Sequence, residues 1–242
     1  MKNALITGAS HGIGEAIARR YAAKGFNLAL CCRSDIEKLE GIARDLRENF
    51  NIKVLTYQVD VSDYNSVEKM CANVLTNLGN IDVLVNNAGI SHVGLLQDMS
   101  IEEWNKVIGT NLTSVFNTCK CIIPSMISSQ NGRIINISSV WGNVGASCEV
   151  AYSASKGGVN SFTKALAKEL APSGISVNAI ACGCIDTRMN NCFSDEDKAA
   201  LCEEIPAGRF GAADEVAQLA LHLIESSNYL TGQVITLDGG WV

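Results

Sequence analysis

Apolar and polar positions along the chain follow two alternating patterns. Short runs of mostly apolar, often β-branched residues are separated by longer stretches with helical periodicity. The short runs predict strands over 2–7, 27–32, 53–58, 81–86, 132–138, 174–181 and 233–237. The longer stretches predict helices over 12–24, 36–49, 64–78, 101–128, 151–171, 194–204 and 213–225.

The strand runs are apolar almost throughout, which is typical of strands covered on both faces. Because strands and helices alternate, the pattern predicts an α/β fold, a doubly wound parallel sheet of about seven strands with helices on both faces. No linker-like, repeated or low-complexity segment divides residues 1–242, so we expect a single domain.

Composition and charge narrow the class of protein. The chain has 242 residues, of which 47% are hydrophobic and 18% charged, and no apolar run reaches the ~18 residues of a membrane span. The net charge of −6 disfavours nucleic acid or an anionic membrane as a partner. The amino terminus enters a strand directly, without the features of a signal peptide, so we expect a cytoplasmic protein.

The ten cysteines include no Cys-x-x-Cys pair, and several lie inside apolar runs. We therefore expect reduced, buried thiols rather than a disulfide framework. Cys182 and Cys184 have neither a histidine nor a second cysteine pair nearby in the sequence, so we expect no metal site.

A glycine-rich turn, Thr7-Gly8-Ala9-Ser10-His11-Gly12-Ile13-Gly14, joins the first predicted strand to the first predicted helix. Glycines there let the backbone approach a pyrophosphate, and the helix start presents free amide hydrogens and a positive dipole end. The turn therefore predicts a dinucleotide site with a Rossmann-type architecture.

The end of the second strand bears on the choice of cofactor. An acidic residue there would bind the ribose hydroxyls of NAD, but Cys32 is followed by Arg33, which suits a 2′-phosphate. We therefore favour NADP(H) over NAD(H), although Asp35 is close in sequence and Arg33 is also compatible with a solvated loop cation.

Polar residues also follow the third and fourth strands. Asp60, before Val61, is a candidate acceptor for an adenine amino group, and its alternative reading is a helix cap. Asn86-Asn87-Ala88-Gly89 suits close backbone approach to a ligand. Asn111 lies inside a predicted helix, where asparagine is unfavourable, so it either interrupts the hydrogen-bond ladder to bind water or marks a simple irregularity.

Tyr152 and Lys156 are spaced to lie on one face of a helix. A phenol beside an ammonium loses its proton more easily and can exchange it with an alcohol oxygen. Ser139, at the end of the fifth strand, is placed to hold a substrate oxygen. By itself the Tyr-x-x-x-Lys spacing is also typical of an ordinary surface pair.

Taken in order, these motifs resemble the short-chain dehydrogenase/reductase superfamily. The resemblance spans essentially the whole chain, to the tail ending Asp238-Gly239-Gly240, and is greatest to the 3-oxoacyl-[acyl-carrier-protein] reductase branch. It implies NADPH-dependent reduction of a ketone to a secondary alcohol, with no metal. It also implies a homotetramer that packs through helices near 101–128 and 151–171 and through the carboxyl-terminal strand.

The resemblance also implies a role for each motif residue. Tyr152 is the general acid, Lys156 lowers the pKa of Tyr152 and binds the nicotinamide ribose, Ser139 orients the carbonyl, and Asn111 holds a water that relays protons. The implied cofactor-binding residues are Gly8, Ser10, His11, Gly12, Ile13, Gly14, Arg33, Asp60, Val61, Asn87, Ala88, Gly89, Tyr152, Lys156, Gly183, Ile185 and Thr187. The substrate site falls in the carboxyl-terminal half of the chain.

Three departures from the family pattern bear on ligands. Cys182-Gly183 stands where the family usually has Pro-Gly, and His11 stands where it commonly has arginine. Basic residues that dock acyl carrier protein are missing from Ser128-Ser129-Gln130-Asn131 and Pro172-Ser173-Gly174. With a net charge of −6, the chain would not attract an acidic carrier electrostatically.

The segment from Trp141 to Glu149 bears on the substrate. Glu149 precedes Tyr152 by three residues, so it either faces a substrate amino group or lies at a helix start. Ser139, Trp141, Glu149 and Tyr152 are the candidate substrate residues, and the alternative for Trp141 is simple packing in the pocket wall. The segment resembles a reductase subgroup acting on the 5-aminopentanone modification of elongation factor P. That substrate, an acyl-carrier thioester and a small secondary alcohol remain alternatives; a non-catalytic dinucleotide sensor is disfavoured by intact Ser139, Tyr152 and Lys156.

Overall fold

In the computed structural model of the protein, which describes residues 1–190 and 194–242, the chain alternates between strands and helices as its pattern predicts. The strands are β1 (Asn3–Thr7), β2 (Asn27–Cys32), β3 (Val54–Gln58), β4 (Val83–Asn86), β5 (Gly132–Ser139), β6 (Ile175–Cys182), β7 (Ile185–Asp186), β8 (Gly211–Ala212) and β9 (Val234–Leu237). The helices are α1 (Gly12–Ala23), α2 (Ile36–Phe50), α3 (Tyr64–Leu78), α4 (Ile101–Ile108), α5 (Ser114–Ser129), α6 (Trp141–Val144), α7 (Val150–Leu170), α8 (Asp195–Glu204) and α9 (Ala213–Glu225).

Seven of the described strands form one parallel sheet in the order β3-β2-β1-β4-β5-β6-β9. Neighbouring residues of a strand point to opposite faces, and both faces are covered by helices. Ile6 packs on the side of α1, α2 and α9, whereas Leu5 packs on the side of α3, α5 and α7. The predicted doubly wound, Rossmann-type α/β fold is confirmed.

The strand order reverses direction between β1 and β4. In an open parallel sheet, such a reversal leaves a crevice at the carboxyl ends of the strands, where ligands bind. The glycine-rich turn follows β1 at that edge, Asn87 follows β4, and Ser139 is the last residue of β5. The topology therefore brings motifs that are far apart in sequence to one place.

The predicted helix over 101–128 is wrong as a single α-helix. A π-helical segment, Gly109–Thr113, separates α4 from α5. Asn111 lies at its centre and uses its side chain to hold residues outside the helix, so the proposed interruption of the ladder at this asparagine is confirmed. The short elements α6, β7 and β8 were not predicted, because two to four residues are too few for a periodic pattern.

Candidate active site

The glycine-rich turn is packed so tightly that some positions accept only glycine. Gly8 and Gly12 have φ of +65° and +53°, in the left-handed region that favours glycine. A methyl group at Gly14 would overlap the Gly8 carbonyl oxygen and lie 2.6 Å from Nδ2 of Asn87. The turn therefore packs directly against Asn87, with no space for a side chain at Gly14.

Asn87 holds the turn in place. Its Nδ2 donates to the carbonyl oxygens of Thr7 at 2.9 Å and Gly8 at 3.0 Å. In return, the Thr7 hydroxyl accepts from the backbone amides of Asn87 and Ala88, both at 3.0 Å. Asn86 points the other way and donates to Asn136 inside the core at 2.9 Å. Asn87 therefore holds the glycine-rich turn, whereas Asn86 binds inside the core. The sequence alone did not distinguish these two roles.

One continuous cavity of about 420 Å³ runs along the carboxyl edge of the sheet. Nearly all the residues that the sequence marked as candidates line it. They are Gly8, Ser10, His11, Gly12, Ile13, Arg33, Asp60, Val61, Asn87, Ala88, Gly89, Ser139, Trp141, Glu149, Tyr152, Lys156, Gly183, Ile185 and Thr187. Gly14 and Asn111 are not among its lining residues.

Asp60 is not a helix cap. Its Oδ1 accepts from the backbone amide of Ser62 at 2.9 Å and from the Ser62 hydroxyl at 2.6 Å. Asp63 instead caps α3 by accepting from the amides of Asn65 and Ser66. Asp60 is exposed and faces the cavity, which leaves its role as an adenosine contact in place as a prediction.

Ser139, Tyr152 and Lys156 meet where β5 faces α7. Lys156 is 4% exposed, and its Nζ donates to the Ile137 carbonyl oxygen at 2.8 Å. The same Nζ lies 5.6 Å from the centre of the Tyr152 ring, so the predicted one-face arrangement is present. A methyl group at Gly89 would lie 3.5 Å from this Nζ, which places the loop after β4 against the lysine.

Burial controls the charges of the pair. Burial raises the pKa of Tyr152, and a hydrogen bond with Ser139 offsets part of that rise. Burial also lowers the pKa of Lys156 to about 8. Burial sets the direction of the shift in the pKa of Tyr152 here, and the lowering of this pKa by Lys156 that the sequence led us to expect stays a prediction. The phenol is therefore protonated at neutral pH and able to donate.

Asn111 lies behind this group rather than in it. Its Oδ1 accepts from the backbone amide of Ile90 at 2.8 Å. Its Nδ2 donates to the Ile90 carbonyl oxygen at 2.9 Å and to the Ser155 hydroxyl at 3.0 Å. The side chain ties the loop after β4 to α7, so it holds the loop around Lys156.

A carboxylate, Glu149, and two indole rings, Trp141 and Trp241, also line the cavity. Glu149 stands before the first residue of α7 but makes no capping hydrogen bond with its side chain, and Ser91 donates to it at 3.0 Å. Burial raises the pKa of Glu149. The Trp141 ring packs on Trp241, with ring centres 4.8 Å apart. Sequence reasoning missed Ser91 and Trp241, because only folding brings them to Glu149 and Trp141.

The described residues include no cluster of three or more His, Cys, Asp or Glu side chains able to hold a metal. No helix within the described ranges combines the length and hydropathy needed to cross a bilayer.

Comparison with known proteins identifies the family. Residues 2–198 match the family model described as short chain dehydrogenase. The chain belongs to the short-chain dehydrogenase family. It is 39% identical over 241 residues to the uncharacterized oxidoreductase YmfI of Bacillus subtilis, covering 99% of this chain and 98% of the relative.

Two further relatives of this short-chain dehydrogenase are 3-oxoacyl-[acyl-carrier-protein] reductases named FabG. The one from Chlamydia muridarum is 42% identical over 240 residues, covering 99% of this chain and 96% of the relative. The one from Staphylococcus aureus is 41% identical over 240 residues, covering 99% and 97%. The predicted membership and the similarity to that branch are confirmed, and the chain is an NAD(P)-dependent oxidoreductase.

The crevice of this short-chain dehydrogenase fits a nicotinamide dinucleotide. Gly8 and Gly12 of the tightly packed turn line it, and the cavity continues from there to Tyr152 and Lys156. A pyrophosphate suits this turn, because amides at a helix start bind anions and α1 begins at Gly12 on the cavity wall. The residues present therefore match the cofactor that the family uses.

Proposed function

We propose that the chain reduces a ketone to a secondary alcohol with NADPH, most like a 3-oxoacyl-[acyl-carrier-protein] reductase. The observation that carries the proposal is the meeting of Ser139, Tyr152 and Lys156 in the cavity that also reaches the glycine-rich turn. When bound, the reduced nicotinamide supplies the hydride.

Each side chain has a separate task in this proposal. The Ser139 hydroxyl donates to the carbonyl oxygen and orients it. Tyr152, protonated at neutral pH, donates its proton to the same oxygen as negative charge develops there. The Lys156 ammonium stabilises the phenolate that remains and binds the nicotinamide ribose. Asn111 keeps the loop after β4 beside Lys156, and a water relay through this region remains a prediction.

The preference for NADPH rests on the end of β2. Cys32 there is not acidic, and Arg33 follows it on the cavity wall. Arginine matches a phosphate in charge and geometry.

As part of the same proposal, a single-domain subunit assembles into a homotetramer in the cytoplasm. Exposed Phe116 and Ile127 on α5 support that assembly.

A second substrate is favoured by a specific observation. Glu149 is a half-buried carboxylate that faces the cavity without capping its helix. Such a group, in a cavity that the Trp141 and Trp241 rings also line, suits a ketone carrying an ammonium group. The 5-aminopentanone modification of elongation factor P has that chemistry, whereas an acyl-carrier thioester does not need it.

The Tyr152→Phe variant tests the chemistry. It should bind NADPH as the wild type does but lose ketone reduction by roughly 10²–10⁴-fold, because a positioned general acid contributes about that factor. Binding is followed by NADPH fluorescence and turnover by NADPH oxidation. Tyr57→Phe is the matched control, since its hydroxyl binds Asn73 on the surface, and it should retain activity. Near-wild-type turnover in Tyr152→Phe would remove Tyr152 from the mechanism.

The Glu149→Gln variant tests the substrate. Acetoacetyl thioester and aminopentanone-modified elongation factor P are assayed side by side with NADPH. If Glu149 binds a substrate ammonium group, Glu149→Gln should raise KM for the modified factor about tenfold or more, which is the scale of one charge-assisted contact. The same variant should change KM for the thioester far less. Glu48→Gln, on the exposed face of α2, is the control. Robust thioester turnover with none on the modified factor would discard this candidate.

A further inference from the structure

Three polar side chains from distant parts of the sequence meet at the rim of the crevice. Asp35 Oδ2 lies 3.0 Å from Nε2 of His11 and 3.2 Å from Nη1 of Arg188. The same Nη1 lies 3.2 Å from Nε2 of His11, and Ser10 Oγ lies 2.9 Å from the other ring nitrogen. The contact joins the glycine-rich turn, the end of β2 and the segment after β7.

The Asp35 carboxylate contacts His11 and Arg188 and does not cap α2. It stands directly before α2, where aspartate usually caps, yet its side chain makes no capping hydrogen bond. Asp35 thus holds two nitrogen-bearing side chains, His11 and Arg188, beside the opening.

The contact between Asp35, His11 and Arg188 lies next to the cavity. His11, Arg33, Thr187 and Arg188 all line it. Thr187 packs against the glycine-rich turn, because a methyl group at Gly12 would lie 3.1 Å from its Cγ2. Arg188 is therefore held next to the glycine-rich turn by its neighbour, while its own side chain is 71% exposed.

Arg33 and Arg188 both line the cavity near this contact, and Lys38 lies close enough to His11 to act on its charge. Burial is the main cause that lowers the pKa of His11, with Lys38 adding to it, so the imidazole is neutral at neutral pH. The Arg33 side chain has no hydrogen bond or ion pair among the described residues. Two arginines therefore lie at the mouth of the site, one without a partner and one held by Asp35.

We propose that Arg188 is a cofactor-specificity residue which, with Arg33, binds the 2′-phosphate of NADPH after exchanging its contact with Asp35 for the phosphate. Exposed ion pairs contribute little to stability, so releasing Arg188 from Asp35 costs little. A phosphate dianion offers a guanidinium more acceptor oxygens and more charge than one carboxylate. The inference rests on the proposed use of NADPH.

Binding of cofactor fragments tests this assignment without turnover. Dissociation constants are measured by calorimetry for 2′,5′-ADP, which carries the 2′-phosphate, and for 5′-ADP, which carries the pyrophosphate. We expect Arg188→Gln to weaken 2′,5′-ADP about tenfold, the scale of one charge-assisted hydrogen bond, and to change 5′-ADP less than about twofold. Arg188→Lys should restore part of the loss. Arg20→Gln, which removes an arginine paired with Asp214 outside the cavity, is the control.

The Asp35→Asn variant tests the assignment of Arg188 independently. Removing this carboxylate should leave 2′,5′-ADP binding unchanged or tighter, because a negative charge near the phosphate is lost. If Asp35→Asn instead weakens NADH, Asp35 binds ribose hydroxyls and the inference is wrong.

The remaining outcomes separate the two proposals. Equal weakening of both fragments by Arg188→Gln would assign Arg188 to the pyrophosphate and contradict the inference. An unchanged preference for NADPH in Arg188→Gln contradicts the inference alone. A wild-type protein without any preference for NADPH over NADH contradicts the proposed cofactor itself. Thermal unfolding of each variant confirms that it is folded.

Discussion

At the scale of single residues, the proposed proton-transfer site is built at a cost to stability. Lys156 is 4% exposed, and burial lowers its pKa from 10.5 to about 8. Between these two values the unfolded chain holds a proton that the folded chain has released. Stability therefore rises with pH through that window, and the cost of burying the ammonium is largest below about pH 8.

Replacing Lys156 by methionine should separate stability from activity. The shift in pKa corresponds to roughly 3 kcal/mol, from which the lost hydrogen bond to Ile137 subtracts about 1 kcal/mol. We expect Lys156→Met to melt several degrees higher at pH 7, with the gain shrinking toward pH 10.5, and to lose ketone reduction. Calorimetry across pH measures the difference.

The matched control for this variant is Lys53→Met, because Lys53 is exposed and lies outside the cavity. It should leave both Tm and turnover close to the wild type. A lower Tm for Lys156→Met at every pH would show that the Nζ–Ile137 contact outweighs the desolvation of the ammonium.

At the scale of elements, the interrupted helix is the most informative one. The π-helical turn between α4 and α5 lets the Asn111 side chain reach Ile90 and Ser155. Both backbone groups of Ile90 depend on this one amide. Since Ile90 follows Gly89, the interruption fixes the loop that packs near Lys156.

Asn111→Ala should therefore affect both stability and catalysis. It leaves the amide and the carbonyl of Ile90 without their partner, at about 1–3 kcal/mol for each group that water cannot reach. We expect a Tm lower by several degrees and a kcat reduced more than cofactor affinity, measured by calorimetry and single-turnover reduction. Asn77→Ala, on the exposed face of α3, is the control and should change neither. An unchanged kcat in Asn111→Ala would show that the loop is held by other contacts.

The same elements show what the sequence could and could not predict. Long strands and helices follow from local periodicity, and Tyr152 with Lys156 follows from helical spacing, so these were predicted. The π-helical turn depends on partners at Ile90 and Ser155, which no local pattern reveals, although Asn111 stood out as a poor helix residue. The strands β7 and β8 exist only because Ile185 and Asp186 meet Gly211 and Ala212.

Contacts between distant segments were the hardest to foresee. Arg188 and Trp241 belong to no recognisable sequence motif. Their partners, Asp35 and Trp141, are distant in sequence and come near only in the folded chain. The burial that raises the pKa of Tyr152 was not foreseen either, since spacing shows the adjacent cation but not how deeply the phenol is buried. Local patterns thus predict the chemistry of the site better than its specificity.

At the scale of the whole molecule, parallel topology gathers nearly all the proposed site residues along one edge of the sheet. The order β3-β2-β1-β4-β5-β6-β9 places the glycine-rich turn beside the β1–β4 reversal, with Asn87 holding both strand ends. A ligand in that crevice contacts segments from both halves of the chain. Its binding should therefore stabilise the folded state as a whole.

This coupling predicts a large thermal shift that depends on one glycine. NADPH at about 100 times its Kd should add roughly 2.7 kcal/mol and raise Tm by about 5–10 °C in the wild type. Gly14→Ala should abolish the shift, because its methyl group would collide with the Gly8 carbonyl and with Asn87 and push the turn out of place.

Gly41→Ala is the matched control, since α2 leaves open space at that position and alanine favours a helix. It should keep the full NADPH shift, with an equal or higher Tm. A full shift in Gly14→Ala would mean that the cofactor does not depend on the tight turn, and would move the dinucleotide site away from β1.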